Sequence, residues 1–198
     1  MLIMYYVVAL GNPGEKYANT RHNVGWLVGD FLRGEAALPP LIADKSVSGQ
    51  MTEGIVAGAS VKVLYPDTYM NNSGAAVAKF VSRNEVGNMI VIHDDIDLPF
   101  GEIKLGKGRG DGGNNGVKSI IDKLGTKEFI RIRIGIAPKS FWTGEIKRPK
   151  GGGPLERYVL KPFTKGEAAK LKEVKERAYG ALQAILTDGL QTAMNKFN

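Results

Sequence analysis

Five short stretches hold most of the polar residues able to do chemistry, and each falls where a regular element meets a loop. GNPG at 11–14 offers Asn12, RHN at 21–23 offers His22, and YMNNSG at 69–74 offers Asn71. HDD at 93–95 offers Asp94 and Asp95, and GRGDGGNNG at 108–116 offers Asn115. Histidine is the side chain best suited to move a proton near neutral pH. At a helix N-terminus the partial positive charge disfavours imidazolium, so His22 reads as a neutral base. A carboxylate accepting its other ring N–H would fix the tautomer and stabilise the imidazolium formed later, and Asp94 suits that role. Asparagine amides donate and accept, so they can grip a peptide backbone or donate to a developing oxyanion. The chain has no cysteine, and no serine sits in a G-x-S-x-G elbow. The nucleophile is then water activated by His22, which describes acyl hydrolysis without a covalent intermediate.

Taken singly, each residue is as well explained as a cap, a turn or a buried polar group. Their convergence on one rim would mark a site. His93, at the end of an apolar strand, reads as structural. Asp94, Asp95 and Asp97 with His93 look like a divalent-metal cluster, but neighbouring strand residues point to opposite faces, so no metal is expected.

The elements that must position these residues are legible from periodicity. Residues 3–10 read as a buried strand rather than a signal peptide, because GNPG follows at once and no basic flank precedes. Val24, Leu27, Val28 and Phe31 mark a helix face, with Thr20 as its N-cap. GIVAGASVKVLYP reads as a hairpin, and Ala76, Val77, Phe80 and Val81 as a second helical stripe. Residues 89–93 make a central strand ending in acids, and 101–107 a short strand. Val117, Ile120, Ile121 and Leu124 give a third helix stopped by Gly125. IRIRIGIA at 130–137 alternates like a half-buried strand. Residues 144–153 read as a mobile loop. Thr164 and Glu167 form a capping box for a last helix carrying Leu171, Val174, Ala178, Leu182 and Ile185 and stopping near Gly189. Interleaved strands and helices predict an α/β single-domain sandwich over 1–198, with a central twisted mixed β-sheet flanked by helices. In such sheets, sites form beyond the carboxyl ends of the strands.

With 198 residues, one domain is the default. A net charge of +7 suits a polyanionic partner, although a merely soluble lysine-rich surface accounts for it equally. No run approaches the ~18 apolar residues of a membrane span, so a soluble cytoplasmic protein is expected. Gly108, Gly110 and Gly113 satisfy G-x-G-x-x-G, but the first strand of a βαβ unit does not precede them and the sequence near 133 is arginine-rich instead of acidic, so a dinucleotide site is not expected.

GNPGEKYANTRHNVG, YPDTYMNNSG, HDDIDLPFG and GDGGNNGVKSI, in this order and spacing, resemble the signature blocks of bacterial peptidyl-tRNA hydrolases. The similarity continues to the final TDGLQTAMNKF. The resemblance implies a monomer needing no cofactor that releases peptide from N-blocked peptidyl-tRNA and so recycles tRNA. It implies that His22 activates water, that Asp94 supports it, and that Asn12 distinguishes peptidyl-tRNA from aminoacyl-tRNA. Tyr17, Tyr69, Asn71 and Asn115 would line the substrate channel, with Met70 beside it. Arg133, with a basic residue among Lys104, Lys107 and Arg109, would clamp a terminal phosphate. The family usually has GGHNG where this chain has Gly112, Gly113, Asn114, Asn115 and Gly116, so Asn114 stands in place of a histidine. HDELDLP likewise becomes HDDIDLP. Two alternatives stay open: an RNA-binding protein without hydrolysis on the same scaffold, and a small-ester or peptide hydrolase indifferent to nucleic acid.

Overall fold

Strand β1 (Met4–Ala9) needs cover on both faces, because its apolar residues run without a break, and it lies in the middle of a seven-stranded sheet. The computed structural model describes residues 3–140, 143 and 145–198. The other strands are β2 (Ile42–Asp44), β3 (Gly49–Val56), β4 (Ala59–Pro66), β5 (Met89–Pro99), β6 (Ile103–Lys107) and β7 (Ile130–Ala137). Their order is β2-β3-β4-β1-β5-β7-β6. β1 pairs in parallel with β4 and β5, and β5 with β7, whereas the β2–β3, β3–β4 and β6–β7 pairs are antiparallel. The sheet is therefore mixed, parallel at its centre and antiparallel towards both edges. The predicted hairpin is β3–β4, turning at Ala57 and Gly58, which both have positive φ as a tight two-residue turn requires.

Helices cover both faces. Alternate residues of β1, β5 and β7, among them Val7, Ala9, Ile90, Ile92, Ile132 and Ile134, pack with α1 (Val24–Glu35) and α5 (Lys165–Phe197). Their neighbours Tyr6, Val8, Leu10, Met89 and Val91 pack with α2 (Ser73–Phe80) and α3 (Asn115–Leu124). A short α4 (Gly153–Val159) precedes α5. The capping box is present: Thr164 Oγ1 accepts from Glu167 N, and Thr164 N donates to the Glu167 carboxylate.

Four expectations change. Thr20 does not cap α1; a 3-10 turn over Arg21–Asn23 intervenes, and the Thr20 hydroxyl donates to Tyr17 O. β5 does not stop at His93 but runs to Pro99, because β7 pairs with it through Asp95. β7 is buried on both sides rather than half-buried, its arginine-bearing face lying under the loop before α3. Gly189, at φ 81° and ψ 164°, breaks α5 without ending it, and helix resumes to Phe197. In the segment read as a mobile loop, Ile146 bridges Lys139 and Arg148 pairs with Asp97 at 2.8 Å; Gly144 lies outside the described residues.

Candidate active site

α1 starts almost in contact with the sheet. A Cβ on Gly25 would sit well inside van der Waals contact distance of the Leu10 and Ile92 carbonyl oxygens. Glycine lets the helix approach that closely, and the turn just before it carries His22 to the carboxyl ends of β1 and β5. Arg21 fixes the same turn from the other side. Its guanidinium pairs with Glu167 at 2.7 Å, donates to the carbonyls of Tyr158 and Lys161, and lies 4.4 Å from the centre of the Tyr158 ring.

His22 is 8% exposed, and its Nδ1 stands 2.9 Å from both carboxylate oxygens of Asp94. Burial alone would lower the His22 pKa. The Asp94 charge and hydrogen bond outweigh it, and the pKa is raised above 6.5. The adjacent carboxylate, and not the helix terminus alone, sets the pull on the ring's charge. Asp94 is a hub. His93 Nδ1 donates to its backbone carbonyl at 2.8 Å, and Asn114 Nδ2 donates to its Oδ1 at 2.7 Å. Asp95 is engaged elsewhere, accepting from Arg133 Nε at 2.7 Å and from Asp97 N at 2.8 Å.

The Asn12 amide has a defined orientation. Its Oδ1 accepts from Met70 N at 2.8 Å, which leaves Nδ2 to donate. Asn23, which sequence reasoning passed over, holds the Asn12 backbone by accepting from its N–H and donating to its carbonyl, both at 2.9 Å. Asn12, Tyr17, His22, Tyr69, Met70, Asn71, Asp94 and Asn115 all line one cavity of about 650 Å³, together with residues of α4. Tyr17 and Tyr69 meet edge to face at 6.4 Å, and Met70 packs against Gly116 at the start of α3. Asn71 and Asn115 are exposed.

The basic residues are not in that cavity. Lys104 lies opposite Arg133 across the β6–β7 pair, on the same face. The Arg109 side chain passes over Gly106, two residues further along that face. Lys107 is placed differently from Lys104 and Arg109. Strand alternation turns it to the other face, with its Nζ 3.9 Å from where a Cβ on Gly87, in the turn entering β5, would sit. Arg131, which was not singled out, shares the face of Arg133 and is 2% exposed, with Nη1 donating to Gly110 O at 2.6 Å. The alternation of 130–137 held that signal.

A family model described as Peptidyl-tRNA hydrolase matches residues 6–198. The chain belongs to the peptidyl-tRNA hydrolase family. Among its relatives in that family, a peptidyl-tRNA hydrolase of Thermodesulfovibrio yellowstonii is 41% identical, covering 98% of this chain and 99% of its own length. One from Mycobacterium avium is 42% identical over 96% and 95%. The crystal structure of the peptidyl-tRNA hydrolase of Acinetobacter baumannii matches with a TM-score of 0.86 at 29% identity, covering all of this chain and 96% of that one. The mixed seven-stranded sheet flanked by helices is therefore the peptidyl-tRNA hydrolase fold. No helix among the described residues is long and apolar enough to cross a membrane.

Proposed function

We propose that this peptidyl-tRNA hydrolase family member releases peptide from N-blocked peptidyl-tRNA, with His22 activating water for direct attack on the ester. The observation carrying this reading is the His22–Asp94 contact, 2.9 Å from Nδ1 to each carboxylate oxygen, at the wall of a cavity shared with Asn12. With Nδ1–H donated to Asp94, Nε2 is the ring atom free to take a proton from water. Asp94 then faces the imidazolium that forms, and stabilises it. Asn12 Nδ2, released from competing roles by the bond from Met70 N, donates to the substrate carbonyl or the oxyanion developing on it. Proton return from His22 to the departing ribose oxygen closes the cycle, so no enzyme group is consumed.

Tyr17, Tyr69 and Met70 form the walls for the esterified residue, and the amides of Asn71 and Asn115 hold the peptide or the 3′ end. Arg133, Lys104 and Arg109 form the phosphate-facing patch, without Lys107. One domain over 1–198, a monomer working in the cytoplasm without metal or cofactor, completes the reading.

The test uses N-acetyl-aminoacyl-tRNA as substrate. His22→Ala should lose turnover by roughly 10²–10⁴-fold, the range of general-base catalysis, while tRNA binding stays near wild type. Retained turnover in that variant would remove His22 from the mechanism.

A further inference from the structure

Asn114 meets the structure in two distinct ways. Its Oδ1 accepts from Gly116 N at 3.0 Å and Val117 N at 3.1 Å, which makes it the N-cap of α3. Those two backbone donors fix which end of the amide is oxygen. Nδ2 must therefore be the group that points at Asp94, donating to Oδ1 at 2.7 Å and, more weakly, to the backbone carbonyl at 3.2 Å. A cap alone needs only the oxygen. Here the amide nitrogen is spent on the same carboxylate oxygen that His22 Nδ1 contacts, and the side chain is 8% exposed.

We propose that Asn114 is a positioning residue that ties the His22–Asp94 pair to the start of α3 and tempers the charge His22 feels. The inference rests on the reading of His22 as base. A charge-assisted bond into Asp94 Oδ1 withdraws part of the negative charge that would otherwise face the imidazole. The other charged groups around the cavity are Asp95 from β5, Asp111 from the loop before α3 and Glu156 from α4. Among the described residues only Asp94 pairs with the His22 ring. The remaining carboxylates act on His22 as a background that a change at 114 leaves in place.

Asn114→Ser separates the two roles. Serine is as good an N-cap as asparagine, but its hydroxyl stops a bond short of Asp94. The chain has two histidines, so ring NMR reads His22 directly, its signal assigned by loss in His22→Ala. We expect the melting temperature of Asn114→Ser to stay close to wild type and its His22 midpoint to rise by about half a unit or more. Hydrolysis of N-acetyl-aminoacyl-tRNA should fall about threefold below that midpoint, with KM unchanged. Asn114→Ala should show the same midpoint rise and a lower melting temperature, having lost the cap as well. A His22 midpoint in Asn114→Ser that is unchanged or lowered overturns the proposal and leaves Asn114 as a helix cap. The titration needs no turnover, so it stands even if the hydrolytic reading fails, and that failure would show separately as a wild-type protein without activity.

Discussion

His22 titrates under opposed influences: burial disfavours the imidazolium, and the Asp94 charge and hydrogen bond favour it and prevail, raising the pKa above 6.5. A base must be unprotonated, so kcat/KM for peptidyl-tRNA should be low in acid and rise through a midpoint above 6.5. Asp94→Asn removes the raising influence and leaves burial. Its midpoint should fall below that of wild type while the plateau rate drops, by roughly 10²-fold or more. A pH profile with an unmoved midpoint would mean that the carboxylate does not set the state of the ring. The types and contexts of His22, Asp94, Asn12, Asn71 and Asn115 were readable from the sequence because reactive side chains at element ends are few. Asn23 and Asn114 were harder to read. Their work is to hold Asn12 and Asp94 through bonds spanning 11 and 20 positions, and residue type carries no trace of such partners.

At the level of elements, the site depends on one turn being held between the sheet and α4–α5. Arg21 is the main fastener, 4% exposed, with Glu167, two carbonyls and two aromatic rings around it. Arg21→Ala takes the guanidinium away from Glu167, which keeps Thr164 N, and from two carbonyls that keep backbone donors, and losing a part-buried, charge-assisted pair of this kind costs about 1.5–3 kcal/mol. Urea unfolding should show a loss of that order, with activity falling as the His22 turn loosens; a change below about 1 kcal/mol would mean the network is ornamental. Gly25→Ala should destabilise by about 1–3 kcal/mol, because a methyl there meets backbone oxygens that cannot move aside. The helical stripes, the hairpin and the capping box were legible because they are local. Thr20 misled because a single 3-10 turn is inserted ahead of α1, as often happens at helix N-termini, and its hydroxyl donates back to Tyr17 O. Gly189 misled because a positive-φ glycine breaks a helix whether or not another follows. The burial of β7 on both faces depended on a loop more than 20 residues earlier in the chain, as the Arg131 bond to Gly110 shows.

Across the whole molecule, the cavity and the basic patch are neighbouring but separate: the His22 cavity is lined by amides, aromatics and acids, while Arg133, Lys104 and Arg109 lie beyond it on the β6–β7 face. Chemistry and polyanion binding should therefore come apart under mutation. Arg133→Ala is expected to weaken tRNA binding and reduce the slope of log affinity against log salt by about one, while leaving hydrolysis of a short N-acyl-aminoacyl ester unaffected. An unchanged slope would take Arg133 out of the contact. The net charge of +7 pointed to a polyanion without locating it, since many of the lysines of α5 are solvated and one pairs within the helix as Lys172–Glu176 at 3.7 Å. Whether the sheet's two halves assemble one working centre is best decided by single-turnover hydrolysis of N-acetyl-aminoacyl-tRNA across pH, for wild type and His22→Ala side by side. The wild-type rate should climb through a midpoint above 6.5 and the variant should stay at background throughout, as catalysis by His22 requires. A wild-type rate indifferent to pH, or a variant that climbs with it, would contradict it.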